Sequence, residues 1–232
     1  MDSNRSAAKA SQVARVKIYG LALAAGICLG VLVFLCITHD PRPVVVCLGD
    51  SLTSCGGEDG RYSDWLGRML PHIRVVNAGI GGDTLDGACR RYKQDVLKLR
   101  PAVVVVALGA NDFWRDWRSV DEMRDDLTTM IKSFQAKGAR VVVAGCFGER
   151  DFWGEHSVEF ESGRFDLAWS FAQMEREVCR LYSCRYLPNM QIDVKPNRLK
   201  PYWDMTDHPN KAGNEQIALR MLPLVKLALG DR

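Results

Sequence analysis

The chain has 232 residues, 47% hydrophobic and 25% charged, a balance that excludes a disordered or low-complexity protein. Its net charge of +3 sits entirely in residues 1–42, where Arg5, Lys9, Arg15, Lys17 and Arg42 face only Asp2 and Asp40. The remaining residues carry 26 bases and 26 acids. They hold no general electrostatic footprint for nucleic acid, and no nucleic-acid partner is expected.

Residues 1–17 read as a basic cytoplasmic tail. Residues 18–38 are 21 in a row without a charged side chain, enough for a helix of roughly 30 Å, the thickness of a bilayer's hydrocarbon core. The run exceeds the apolar part of a signal peptide, and no A-x-A-like site follows it. Val33, Phe34 and Leu35 precede Cys36, without the small residue of a lipoprotein signal. An uncleaved transmembrane signal-anchor helix is expected, with a cleaved signal peptide and secretion as the rival. Bases ahead of the helix put the N-terminus in the cytoplasm and the rest outside. Residues 39–43, with Pro41 and Pro43, read as a short stiff linker. Residues 44–232 read as one domain, long enough to bury its own core.

In that domain, strand and helix signals alternate. Residues 43–49, 73–77, 102–109 and 140–146 are short, β-branched and apolar, with a weaker fifth run at 185–187. Such runs, lacking polar alternation, suit strands buried on both faces of a parallel sheet. Helical patterns fall at 62–70, 84–99, 120–137, 165–181 and 211–229, with Asp83 the expected N-cap of the second and Gly138 the stop of the third. Repeated βα units predict a three-layer α/β/α sandwich around a mostly parallel five-stranded sheet.

Of the eight cysteines, Cys28 and Cys36 lie in the apolar run. None of Cys47, Cys55, Cys89, Cys146, Cys179 and Cys184 forms a C-x-x-C pair, so neither a zinc ribbon nor a thioredoxin-like motif is supported. Cys47 and Cys146 read as small buried residues. Cys179 and Cys184 are the nearest pair, open to a disulfide in an exported domain.

In open α/β sheets, ligands sit beyond the C-terminal ends of the strands. Four informative segments fall there: Gly49-Asp50-Ser51 after the first strand, Gly79 to Thr84 after the second, Gly109-Ala110-Asn111-Asp112 after the third, and His208-Pro209-Asn210 before the last helix. Acyl transfer by serine needs a nucleophile, a base and donors for the oxyanion. Ser51 is the candidate nucleophile and His208 the base. Gly82 can offer an unobstructed N–H, and Asn111 an amide donor. Singly, each reads as readily as a turn or cap residue; their order and placement give them weight. Asp50 and Asp112 are expected to make local turn or cap hydrogen bonds.

GDS with a following Leu, a GGD-type second block, GxND and HPN before the last helix resemble the blocks of the SGNH (GDSL-type) hydrolases, from about residue 44 to 229. The resemblance implies a flavodoxin-like sheet and a Ser-His-Asp triad. It also implies an oxyanion hole from the Ser51 N–H, the Gly82 N–H and the Asn111 side chain, with no metal or cofactor. The G-x-S-x-G elbow of α/β-hydrolases is absent around Ser51. One position departs from the family pattern, which places a carboxylate three residues before the base, where Met205 stands here. Asp204 is the first candidate for the third triad member, Asp207 the second, and no carboxylate the remaining alternative.

Residues 147–164 are polar, hold Phe152 and Trp153, and read as a substrate-contacting loop or a solvated connection. His156 within them is a rival base without the HPN context. Phe113, Trp114 and Trp117 either line an acyl or aryl pocket or pack beneath that loop. The expected reaction is hydrolysis of a carboxylic ester or thioester, on a small-molecule or lipid substrate, with the N-terminal helix as membrane contact. An inert binding protein on the same fold and an O-acyltransferase with the same residues are the alternatives.

Overall fold

The computed structural model describes residues 23–28, 40–113, 118–146, 165–190 and 208–230. The chain divides into two compact units, Met1–Pro41 and Arg42–Arg232. In the first, residues 23–28 are helical, and most of the expected anchor at 18–38 lies outside the described residues. Among the described residues, no helix is long and apolar enough to cross a membrane.

The second unit is built on five parallel strands: β1 (Val44–Gly49), β2 (Arg74–Gly79), β3 (Val103–Ala107), β4 (Arg140–Ala144) and β5 (Arg185–Leu187), ordered β2-β1-β3-β4-β5. The order is flavodoxin-like, and all four pairings are parallel rather than most of them. The unit's helices among the described residues include α1 (Ser51–Ser54), α2 (Tyr62–Met69), α3 (Leu85–Asp95), α4 (Val120–Gln135), α5 (Phe165–Leu181) and α6 (Lys211–Leu229). α2 packs with α6, while α3, α4 and α5 pack in succession, the two groups that right-handed crossovers place on opposite faces.

The apolar runs become strands because helices cover both faces. Val45 to Leu48 in β1 and Val103 to Val105 in β3 are fully buried, each apolar side chain contributing about 1.5–3 kcal/mol against exposure. Cys47 and Cys146 are buried in this core, as small apolar residues would be. Cys179 and Cys184 carry free thiols, with the Cys184 N–H donating to the Cys179 carbonyl at 2.9 Å.

Two local expectations change. The predicted helix 84–99 ends at Asp95, and a 3-10 turn (Leu97–Leu99) follows. Its N-cap is Thr84, whose Oγ1 accepts from the Gly87 N–H at 3.0 Å. Asp83 sits one residue ahead of that cap, with Oδ1 accepting from the Thr84 N–H at 3.0 Å and Oδ2 from Arg91. Gly138 does mark the stop after α4, with φ +83°.

The register positions the site. Gly49 at the end of β1 pairs with Gly79 of β2 and Ala107 of β3, so three strands finish level and about 5 Å apart. The segments leaving them start side by side.

Candidate active site

The β1 segment turns at once into α1, a single helical turn that begins at Ser51. Asp50 is its N-cap: Oδ1 accepts from the Leu52 N–H at 2.9 Å, the local bond expected of it. Ser51 is partly exposed, while Leu52 and Thr53 are buried beneath it. The turn thus seats Ser51 just past the C-terminal end of β1, partly exposed.

After β2, the segment to Thr84 doubles back through Gly82 at φ +79°, left-handed backbone that a Cβ would strain. The Ile80 N–H donates to the Gly49 carbonyl at 3.0 Å, joining this turn to the one before Ser51. After β3, residues 110–113 make one helical turn. From it, Asn111 Nδ2 donates to the Asp83 carbonyl at 2.9 Å and lies 3.4 Å from Asp50 Oδ2. Asn111 therefore bridges the residue before Ser51 and the residue after Gly82. Asp112 departs from the local role: its Oδ2 accepts from the Leu85 N–H at 2.9 Å, covering the first turn of α3 across 27 residues.

His208 is partly exposed and precedes the buried Pro209 and Asn210, the N-cap of α6. Its loop is held from two sides. The fully buried Asn214 donates Nδ2 to the Pro209 carbonyl at 2.8 Å and accepts the Tyr62 N–H on Oδ1 at 2.9 Å. The Tyr62 hydroxyl in turn meets Thr53 Oγ1 of α1 at 3.1 Å. Cys55 Sγ, just past α1, lies 3.7 Å from the same Pro209 carbonyl. Tyr62, Thr53, Cys55 and Asn214 were not singled out from sequence. Asn214, a polar residue on a buried helix face one turn after Asn210, carried the one visible signal.

Three carboxylates crowd beneath the rim. Asp83 is paired with Arg91, and Asp112 with Arg118 at 3.3 Å. Burial pushes Asp50 up to about 7, and the nearby Asp112 and Asp83 charges add to it against the Leu52 hydrogen bond. Asp112 is likewise raised by burial, despite Leu85 and Arg118.

Phe113 is fully buried in the core, packing there. Asp204, Met205 and Asp207 lie outside the described residues, as do Trp114, Trp117, Phe152, Trp153 and His156. Among the described residues, no cluster of three or more His, Cys, Asp or Glu suited to a metal occurs.

The family model described as GDSL-like lipase/acylhydrolase matches residues 47–216. The chain is similar to the esterase TesA of Pseudomonas aeruginosa, 31% identical over 105 residues, which cover 42% of this chain and 51% of that protein. It is also similar to an acetylxylan esterase of Geobacillus stearothermophilus, 33% identical over 87 residues, covering 30% of this chain and 40% of that protein. The chain thus spans about half or less of these curated relatives' length. Among solved structures, the crystal structure of TesA superposes with a TM-score of 0.67 at 22% identity, covering 80% of this chain and 99% of that one. That is a likeness of fold.

Proposed function

Because the chain belongs to the GDSL-like lipase/acylhydrolase family, we propose that it is a serine hydrolase of carboxylic esters or thioesters, working through an acyl-enzyme on Ser51. One observation carries the reading: Asn111 Nδ2 is held at 2.9 Å by the carbonyl of Asp83, the residue after Gly82, and lies 3.4 Å from Asp50, the residue before Ser51. Two donor-bearing segments and the nucleophile's turn meet at one point.

His208 takes the proton of the Ser51 hydroxyl as its Oγ attacks the carbonyl carbon. The Ser51 N–H, the Gly82 N–H and the Asn111 amide hold the oxyanion. Asn111 turns to it by releasing the longer of its contacts, that with Asp50. His208 then protonates the leaving alcohol or thiol, and water, activated by the same imidazole, frees the acid. Asp204 orients the imidazole. Trp114 and Trp153 contact the acyl or leaving group.

Residues 18–38 anchor the protein as a single-pass helix, with the basic tail 1–17 in the cytoplasm and the domain 44–232 outside it. Substrates are lipid, acyl or acetylated envelope esters; the acetylxylan esterase among its relatives supports the acetylated end of that range.

The test is hydrolysis of p-nitrophenyl esters, acetate through palmitate, by the full-length chain in detergent, beside Ser51→Ala. Turnover that disappears in the variant supports the serine esterase, and the chain-length optimum separates deacetylase-like from lipase-like use. A folded protein with no turnover, and no labelling by a fluorophosphonate, would overturn it.

A further inference from the structure

Arg91 lies on α3 outside every motif above, yet its guanidinium reaches the centre of the site's scaffold. The side chain is 15% exposed. Nε donates to Asp83 Oδ2 at 2.8 Å, and Nη2 lies 2.7 Å from the same oxygen. Nη2 also donates to the Gly49 carbonyl at 3.2 Å, while Nη1 holds Asp95 at 2.9 Å. Gly49 is the last residue of β1, two before Ser51, and Asp83 directly follows Gly82. The Asp83 carbonyl is also the acceptor that fixes Asn111. One planar cation therefore ties the nucleophile's turn to the residue on which both other oxyanion donors depend.

We propose that Arg91 is a positioning residue that sets the oxyanion hole. This rests on the esterase reading above. The ladder ends at Gly49, Gly79 and Ala107; beyond it, cross-links alone hold three separate segments in mutual register. A guanidinium can bind a carboxylate and a carbonyl at once in a fixed plane, which a lysine ammonium cannot reproduce. Asp95 holds the outer edge of the fork, so the side chain is ordered along its length. Gly87 gives independent support. A Cβ there would fall 2.0 Å from Asp83 Oδ1, so a glycine in the first turn of α3 clears the volume that the clamped carboxylate fills. Because donors in an oxyanion hole must sit within tenths of an ångström of where charge develops, loosening Asp83 weakens turnover more than binding.

The test compares Arg91→Ala, Arg91→Lys and Arg90→Ala with the wild type, each as the full chain, by kcat, KM, the rate of fluorophosphonate labelling and Tm. Arg90 is the neighbouring exposed cation, paired with Asp86 on the surface, and controls for loss of charge. Arg91→Ala should lower kcat and the labelling rate together, by at least about tenfold, a smaller loss than the 10²–10³ of removing an oxyanion donor outright because Arg91 acts through Asp83, with KM changed less than about twofold. Arg91→Lys should recover only part of that loss, and Arg90→Ala should match the wild type. A purely structural ion pair would lower Tm and leave the kcat of the folded protein within about twofold of wild type, which overturns the proposal. If Arg91→Ala does not fold, Arg91→Lys decides by the same criterion. A wild type without turnover or labelling sinks the esterase reading itself and this one with it, whereas an active wild type with indifferent Arg91 variants sinks only this one.

Discussion

Cys55 Sγ lies 3.7 Å from the carbonyl oxygen of Pro209, so the segment leaving the Ser51 helix touches the loop that carries His208. The two residues are 154 positions apart. Asn214 reinforces the contact from α6 through its bonds to that same carbonyl and to the Tyr62 N–H. The candidate base is thus held by groups that also support the nucleophile's helix.

Asn214→Ala leaves the Pro209 carbonyl and the Tyr62 N–H without this partner. A cost of roughly 1–3 kcal/mol in urea unfolding is expected, the range for a buried group left unpaired, with a parallel fall in kcat. Asn214→Asp keeps the acceptor for Tyr62 and loses both donors. If kcat falls equally in the two variants, the hold on Pro209 is the part that positions His208.

Gly82→Ala should lower kcat while the protein stays folded, because φ +79° strains a Cβ and the peptide would shift to relieve it. Asn111→Ala should lose about 10²–10³ in kcat with little change in KM, as expected for a donor used only in the transition state. A KM effect without a kcat effect would assign Asn111 to substrate binding instead.

The third triad member is decided by paired variants. Asp204→Asn should lower kcat by up to about 10⁴, and Asp207→Asn by less than about tenfold. The reverse order would move the role to Asp207. Indifference to both would mean that His208 works without a carboxylate.

Glu175 is almost fully buried on α5, with Oε2 3.2 Å from the Tyr186 hydroxyl. Burial pushes its carboxyl from 4.5 up to about 8, against the Tyr186 hydrogen bond. Between those values the native state keeps a proton that the unfolded chain has released, so stability falls as pH rises through this window and levels off above it. Glu175→Gln removes that slope. Relative to wild type, it should gain at least about 1.4 kcal/mol in urea unfolding between pH 5 and pH 9, the equivalent of one pKa unit. Asp50, raised from 3.8 to about 7 chiefly by burial, should add a similar fall between those two values, which Asp50→Asn would flatten.

Local patterns carried much of the protein. Four apolar β-branched runs announced β1 to β4, because a strand covered on both faces needs no polar alternation, and the weaker run at 185–187 announced β5. The helices at 165–181 and 211–229 ended where their patterns ended. The GDS, GGD, GxND and HPN segments named their residues because each motif is contiguous, and the alternation of elements put all four beside one sheet edge. What sequence left open was every bond across the fold. Arg91 reaches the Gly49 carbonyl over 42 positions, Asp112 reaches Leu85 over 27, and Asn214 reaches Tyr62 over 152. Asp83 reads as a helix cap, yet Thr84 takes that place and the Asp83 carboxylate binds both the Thr84 N–H and Arg91. A hydrogen bond between distant residues depends on which loops the strand order and register set side by side, and no local spacing encodes that. Sequence alone supplied the candidate residues for chemistry; the level ends of β1, β2 and β3 decided which of their segments start side by side.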